Sequence, residues 1–264
     1  MSIPENLAAV HVRIACAAVR VGRNPDEVTL VAVSKTFSAE HIREAYAAGV
    51  RHFGENRVKE WEGKFSQLAD LDATWHLIGH LQSNKARRAA SLFHAIDSVD
   101  SLSLAQKLDR AVGESNPSVG ADLRVRPHEN ADMRAPQLAA RMPILIEVRL
   151  APELAKSGVH PDELPALAEA ILKMPHLELR GLMTIPPLLN NPEDVRPYFR
   201  RLRDLRDSLR LHIASIAGLS LTPDPRPLIP VLSMGMSHDF EVAIEEGATQ
   251  VRLGSALFGE RAAD

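Results

Sequence analysis

Short apolar runs rich in β-branched residues alternate along the chain with longer segments whose apolar residues recur every three and four positions, the pattern of strands separated by crossover helices. Eight strands are predicted: Thr29–Lys35, His52–Glu55, Trp75–Gly79, Ala95–Val99, Ile144–Leu150, Glu178–Thr184, Ile229–Met234 and Gln250–Gly254. Between them, Ile42, Ala45 and Tyr46 share a helical face that ends at Gly49, and Val58, Trp61, Phe65 and Leu68 form a second stripe. Val195, Phe199, Leu202, Leu205 and Leu209 follow a start at Pro192, while Phe240, Ala243 and Ile244 follow a Ser237 cap and stop at Gly247. With a leading helix near residues 5 to 21, seven crossovers joining eight strands make the count of an α/β fold of the (β/α)8 TIM-barrel type, spanning residues 1–264 as a single domain. A doubly wound sheet is the alternative, because strand periodicity does not say whether a sheet closes. The pattern breaks once, from Gly113 to Met142, which is polar and carries Pro117, Pro127 and Pro136. This stretch reads as an inserted, mobile loop on the face opposite the chemistry.

Composition mainly removes possibilities. With 31 Lys+Arg against 34 Asp+Glu and a formal charge of -3, the chain has no electrostatic footprint for nucleic acid. No apolar run approaches the roughly 20 residues needed to span a bilayer. His11, Arg13 and Arg20 interrupt the amino-terminal apolar residues, unlike a secretory signal. The single cysteine, Cys16, rules out an intrachain disulfide, and a cytoplasmic location is expected.

In a barrel the chemistry belongs at the carboxyl ends of the strands, and here those ends are unusually polar. Lys35 follows the apolar run Leu30 to Val33, which would bring an amine into the barrel mouth, where desolvation frees a neutral nucleophile suited to a Schiff base. The competing reading is a lysine that closes the strand and extends to water. Ser233, Gly235 and Ser237 after the seventh strand, with Gly254 and Ser255 after the eighth, form paired loops whose backbone amides suit a phosphate.

Other patterns favour plainer readings. His76 and His80 are four apart on a strand running into a loop, a spacing that separates them too widely for a shared metal. His128-Glu129-Asn130 lacks the second histidine of a metalloprotease helix. Cys16 is expected to be buried packing. Arg200, Arg201, Arg203 and Arg206, interleaved with Asp204 and Asp207, suggest a solvated helix face with local ion pairs.

The segments VAVSKT, FGEN, WHLIGHLQSNKAR, SVD, KSG, RGLMTI and LSMGMSHDFEVAIEEGATQVRLGSALFG, with Glu260-Arg261, closely resemble the YggS-like pyridoxal phosphate homeostasis protein family. The resemblance runs from about Thr29 to Arg261 with only the insertion outside it. It implies a fold-type III barrel like the amino-terminal domain of alanine racemase, with pyridoxal 5'-phosphate (PLP) held as an aldimine on Lys35. By the same resemblance Ser233, Gly235, Ser237, Gly254 and Ser255 would take the phosphate and Arg252 would face the pyridine nitrogen. Asn56 and His80 would line the cofactor's open side. The chain departs from the family pattern at Arg149, where an asparagine is usual, at His238, where a small residue is common, and in the 113–142 insertion.

Two functions of different class remain. The favoured expectation is a PLP-binding protein that buffers or delivers the cofactor without a substrate reaction, with PLP-dependent apo-enzymes as recipients and a monomeric state. The alternative is a racemase-like PLP enzyme, which needs a second acid/base opposite Lys35. The two tyrosines, Tyr46 and Tyr198, fall on predicted crossover helices, which leaves His80 as the candidate base. A cofactor-free aldolase using a Schiff-base lysine on a phosphorylated sugar is the more distant third reading.

Overall fold

The computed structural model describes residues 2–115, 141–151, 157–216 and 229–259. Eight parallel strands close into a barrel in sequence order: β1 (Thr29–Val33), β2 (His52–Glu55), β3 (Thr74–Leu77), β4 (Ala95–Val99), β5 (Met142–Glu147), β6 (Leu177–Met183), β7 (Val231–Ser233) and β8 (Gln250–Leu253). The ring shuts where β8 lies along β1, with Thr29 opposite Gln250 and Ala32 opposite Leu253. Helices α1 (Ile3–Arg20), α2 (Ala39–Ala47), α3 (Val58–Leu68), α4 (Ala86–Leu92), α5 (Leu102–Ser115), α6 (Leu164–Leu172), α7 (Arg196–Ile216), α8 (Phe240–Glu245) and α9 (Ser255–Phe258) complete the described elements. The closed barrel excludes the doubly wound alternative.

All eight predicted strands are present, and β2 and β4 have the predicted bounds. Several others stop earlier than their apolar runs suggest. β1 ends at Val33 rather than Lys35, β3 at Leu77 rather than Gly79, and β5 at Glu147 rather than Leu150. The residue just past each end still donates its N–H to the neighbouring strand, Ser34 to Gly54, Ile78 to Glu55 and Val148 to Met183, and after Val148 the chain turns to Val159, to which Arg149 donates. α5 continues through Gly113 to Ser115 on the stripe Leu104, Leu108, Ala111 and Val112, so the first three residues of the stretch expected to be a loop are helical. Residues 116–140, including His128-Glu129-Asn130, lie outside the described residues.

α1 starts at a Ser2 capping box and buries Ile3, Leu7, Val10, Ile14, Ala17 and Ala18. Cys16 falls off that stripe and is exposed, correcting the expectation of a packed thiol. Arg13 fixes the helix to α8 through two bonds to Glu241 and a stack over the Phe240 ring. The arginine face of α7 carries the expected local pairs, Arg203 with Asp204 and Arg206 with Asp207, and Arg196, Arg200 and Arg203 also converge on the nearly buried Glu246 after α8.

One buried polar cluster sets the end of β1. Glu55 closes β2 with no solvent exposure; its Oε1 accepts from Ser34 Oγ at 2.7 Å and from Lys64 Nζ at 3.1 Å. Lys64 also donates to the Ser34 carbonyl and to Glu60, and Glu60 Oε1 takes the Thr36 N–H at 2.5 Å. Thr36, a β-branched residue, is thereby held at φ 68°, in the left-handed region. The residues on both sides of Lys35 are thus anchored from α3.

Burial raises the Glu55 pKa, opposed by Lys64 and by the Ser34 bond. A raised carboxyl pKa means stability that is complete at low pH and lost as pH rises through the folded value. Lys64→Met should therefore cost about 3 kcal/mol near neutrality, by leaving a buried charge unpaired, and less in mild acid. Adding Glu55→Gln should recover most of the loss; urea denaturation of the single and double variants at two pH values checks both statements.

At the opposite mouth, burial, with His76 adding to it, lowers the His52 pKa from 6.5 to about 4. The unfolded chain then takes up a proton at this ring that the folded chain refuses, so stability present above 6.5 is lost as pH falls towards the folded value. His94 shifts the same way, chiefly by burial. His52→Gln should lose less stability than the parent between about pH 7 and about pH 4.5. Equal shifts of the urea midpoint in both proteins would contradict this.

Candidate functional site

A cavity of about 610 Å³ opens at the carboxyl-terminal mouth of the barrel. β1 supplies Val33 and, two residues past its end, Lys35; the turn after β2 supplies Asn56, and the segment after β3 supplies Ile78, Gly79 and His80. Met236, Ser237 and His238 come from the loop after β7, Arg252 from β8, and Gly254 and Ser255 from the turn that follows. Ile185 and Leu188, both exposed, give it an apolar lip. Its described lining carries Lys35, Arg252, His80 and His238 and no carboxylate, the side-chain set of a site for an anion.

Two lysines lie near the end of β1, and their surroundings differ. Lys64 is committed to Ser34, Glu55 and Glu60. Lys35 lines the cavity and makes no hydrogen bond or ion pair among the described residues. An amine so placed is available to a ligand, which the strand-capping alternative does not require.

Arg252 is the most constrained group in the cavity wall. Only 4% exposed, its guanidinium donates to Ser233 Oγ at 2.7 Å and to the Thr184 carbonyl at 2.8 Å. Burial lowers its pKa, and Asp97, Glu147 and Asp239 oppose that shift by their charge. Asp239, itself raised by burial, accepts the Met236 N–H at 2.6 Å and so sets the loop after β7. Ser237 does not cap α8 as expected; Asp239 stands at that position. Instead Ser237 Oγ accepts from Gly254 N at 3.3 Å and from Ala256 N at 3.1 Å, tying together the loops after β7 and β8.

Seven of the nine residues singled out from the sequence meet at this cavity: Lys35, Asn56, His80, Ser237, Arg252, Gly254 and Ser255. Ser233 and Gly235 do not line it. Ser233 is fully buried, its hydroxyl turned onto Arg252 and Gln250. Gly235 has φ 95°, and a Cβ there would sit 2.6 Å from that of Ala243, so its service is to the turn. Gly79 makes a similar allowance, since a side chain on it would overlap the Asn56 carbonyl. His80 Nδ1 lies 3.2 Å from Asp100 Oδ2, and its side chain is about half exposed. His238 Nε2 meets the Leu189 carbonyl at 3.1 Å, joining the β6 and β7 loops.

Arg149 lines a neighbouring cavity of about 450 Å³ with Glu147 and Ser157. Glu147 there accepts from Ser157 Oγ at 2.8 Å, and burial raises its pKa. Sequence reasoning missed the contributions of Met236, Glu55, Lys64, Asp97 and Gln250. Asp97 carried a signal, a carboxylate inside the apolar β4 run, and Glu55 lay within the FGEN segment, whereas Lys64 is one polar residue among several on α3. Tyr46 and Tyr198 lie on the outer helices α2 and α7.

Residues 6–262 match the family described as alanine racemase, N-terminal domain. A pyridoxal phosphate homeostasis protein of Aquifex aeolicus is 43% identical over 261 residues, covering 99% of each chain. One from Pseudomonas aeruginosa is 44% identical over 260 residues, covering 98% of this chain and 96% of its own. Among solved structures, Synechococcus elongatus PipY with PLP bound superposes with a TM-score of 0.74 at 37% identity, over 98% of this chain and all of PipY. An alanine racemase from Corynebacterium glutamicum shares the fold at a TM-score of 0.61 and 17% identity, with this chain covering 60% of it. A barrel whose mouth gathers an unpaired lysine, a buried arginine and two amide-bearing turns thus coincides with similarity over nearly its whole length, and the chain belongs to the alanine racemase N-terminal domain family, in the branch of the pyridoxal phosphate homeostasis proteins.

Proposed function

We propose that this chain binds pyridoxal 5'-phosphate at the carboxyl-terminal mouth of its barrel and serves PLP homeostasis by holding and releasing the cofactor, without a substrate reaction of its own. The observation that carries the reading is the Lys35 amine, without a partner among the described residues, in a cavity whose described lining is basic and free of carboxylates. When bound, the group supplies an aldehyde that condenses reversibly with a primary amine.

Lys35 is the residue that would hold the aldehyde carbon, and its fixed neighbours Ser34 and Thr36 keep its backbone from following the ligand as it leaves. Ser237 would offer its hydroxyl hydrogen and Ser255 its hydroxyl and backbone N–H to the phosphate, while the Gly254 N–H, which lies on Ser237 Oγ, would join them by turning from that oxygen to the anion. Arg252 would face the ring nitrogen as a permanently charged donor, which disfavours protonation of that nitrogen and weakens the ring as an electron sink. Asn56 and His80 would line the open side. The inward Ser233 hydroxyl assigns that residue to Arg252 in place of the phosphate.

A racemase needs a second base facing Lys35. Of the two histidines in the described lining, His238 meets the Leu189 carbonyl and His80 beside Asp100 is the group that favours that alternative, and an amino-acid racemisation assay separates the two. The reading extends to a monomer in the cytoplasm that delivers PLP to apo-enzymes, which the single exposed cysteine and the apolar lip of Ile185 and Leu188 suit. Among the described residues no helix is long and apolar enough to cross a membrane.

Borohydride reduction of the PLP-treated chain followed by peptide mass mapping should place a pyridoxyl group on Lys35. Lys35→Ala should lose it while keeping its circular dichroism spectrum. A label that persists elsewhere in Lys35→Ala, or none in the parent, would overturn the assignment. Arg252→Ala should weaken equilibrium binding by about 1 to 3 kcal/mol, the usual value of a hydrogen bond to a charged group.

A further inference from the structure

A line of polar side chains crosses the barrel interior from the mouth opposite the proposed site. It begins at an amino-terminal cavity of about 440 Å³, lined by His52, His76, His94, Asp97, Arg180 and Gln250 among others. His52 Nδ1 lies 3.1 Å from His76 Nε2. His76 Nδ1 lies 3.3 Å from Asp97 Oδ1 and 3.2 Å from Oδ2. The Gln250 amide nitrogen donates to Asp97 Oδ2 at 2.6 Å and to Ser233 Oγ at 3.0 Å. Ser233 Oγ also accepts from Arg252 at 2.7 Å. From His76 onward every member is more than nine-tenths buried.

The donor and acceptor inventory leaves this line little freedom. An ionised Asp97 only accepts, so the Gln250 amide must present nitrogen to it, and both hydrogens of that nitrogen are then used. Ser233 Oγ receives two donors, filling its acceptor capacity. Arg252 has one other described anchor, the Thr184 carbonyl. A guanidinium held at that single point could pivot; the Ser233 oxygen fixes its second nitrogen.

We infer that Asp97 and Gln250, acting through Ser233, are positioning residues for Arg252, with His76 orienting the Asp97 carboxylate from the amino-terminal side. The functional consequence rests on the reading of Arg252 as a PLP-facing donor; the positioning itself does not. Neither Asp97 nor Gln250 lines the proposed binding cavity, so an effect on the ligand must act through Arg252, by the hydrogen-bond network alone for the uncharged Gln250 and by the network together with its charge for Asp97.

The test uses the full chain with 15N-labelled arginine. The Arg252 Nη–H signals, identified by their loss in Arg252→Lys, should be sharp and resolved in the parent, reporting hindered rotation. They should broaden or coalesce in Asp97→Asn and in Gln250→Met. In the same variants the Kd for PLP should rise about tenfold, the equivalent of one hydrogen bond to a charged group, with an altered visible absorption band and Lys35 still the labelled residue. Ser233→Ala, which removes one oxygen, provides the same readouts if a network variant fails to fold. A merely structural role would lower thermal stability but leave the Arg252 signals, Kd and absorption band of the folded variants unchanged, and that result would overturn the inference. Failure of the parent to take up PLP would overturn the binding reading, while the arginine signals still decide the positioning.

Discussion

A guanidinium held almost out of reach of water is the constraint from which the interior of this barrel follows. Burying an ion without partners costs several kcal/mol even after relaxation, so Arg252 can exist on β8 only if other strands supply charge and acceptors. β7 gives the Ser233 hydroxyl and the residue after β6 gives the Thr184 carbonyl. Asp97 on β4, Glu147 on β5 and Asp239 before α8 add the negative charge that supports its ionisation. Polar residues scattered along the sequence therefore form one electrostatic unit.

The fold was legible because its signal is repeated. Each strand–helix unit carries its own period, and an error in one does not shift the next, so the alternating pattern counted the barrel correctly while misplacing several strand ends. Those ends are set by where the backbone changes hydrogen-bond partners, which apolar content does not report: Val148 is as apolar as the strand before it and still donates to Met183, yet the next residue donates to Val159 outside the barrel. The site was legible through its position at the strand ends, and most of its residues indeed meet in one cavity. Side-chain direction was not. Ser233 and Ser237 sit in the same short motif, but one turns inward to Arg252 and the other ties the amides of Gly254 and Ala256. Cys16 shows the same limit on a helix, where apolar neighbours in sequence hid a place off the buried stripe.

The two lysines at the start of the barrel show how such a site divides its labour. Lys64 satisfies a buried carboxylate, and its amine is occupied as a result. That occupation holds Ser34 and, through Glu60, Thr36, so the intervening Lys35 lies on a fixed backbone with its own amine uncommitted. Swapping the environments would give a tethered nucleophile and an unpaired buried acid, and neither stability nor binding would be served.

The outer helices extend this logic to the loops after β7 and β8. α8 follows the loop that carries Ser237, and any drift of the helix would move that serine relative to the β8 turn. α1 grips α8 through Arg13 and Glu241, and α7 grips its end through three arginines on Glu246. Exposed ion pairs are individually weak, but Glu246 is nearly buried and its partners arrive from one rigid helix, so the cluster restricts translation more than an isolated surface pair would. The Asp239 carboxylate then transfers that restriction to Met236 by accepting its N–H. The loop is therefore held against the β8 turn, with Ser237 Oγ already accepting the Gly254 and Ala256 N–H groups. Under the proposed function an anion would meet loops ordered before it arrives, and such a site loses less affinity to entropy than one that must close around its ligand.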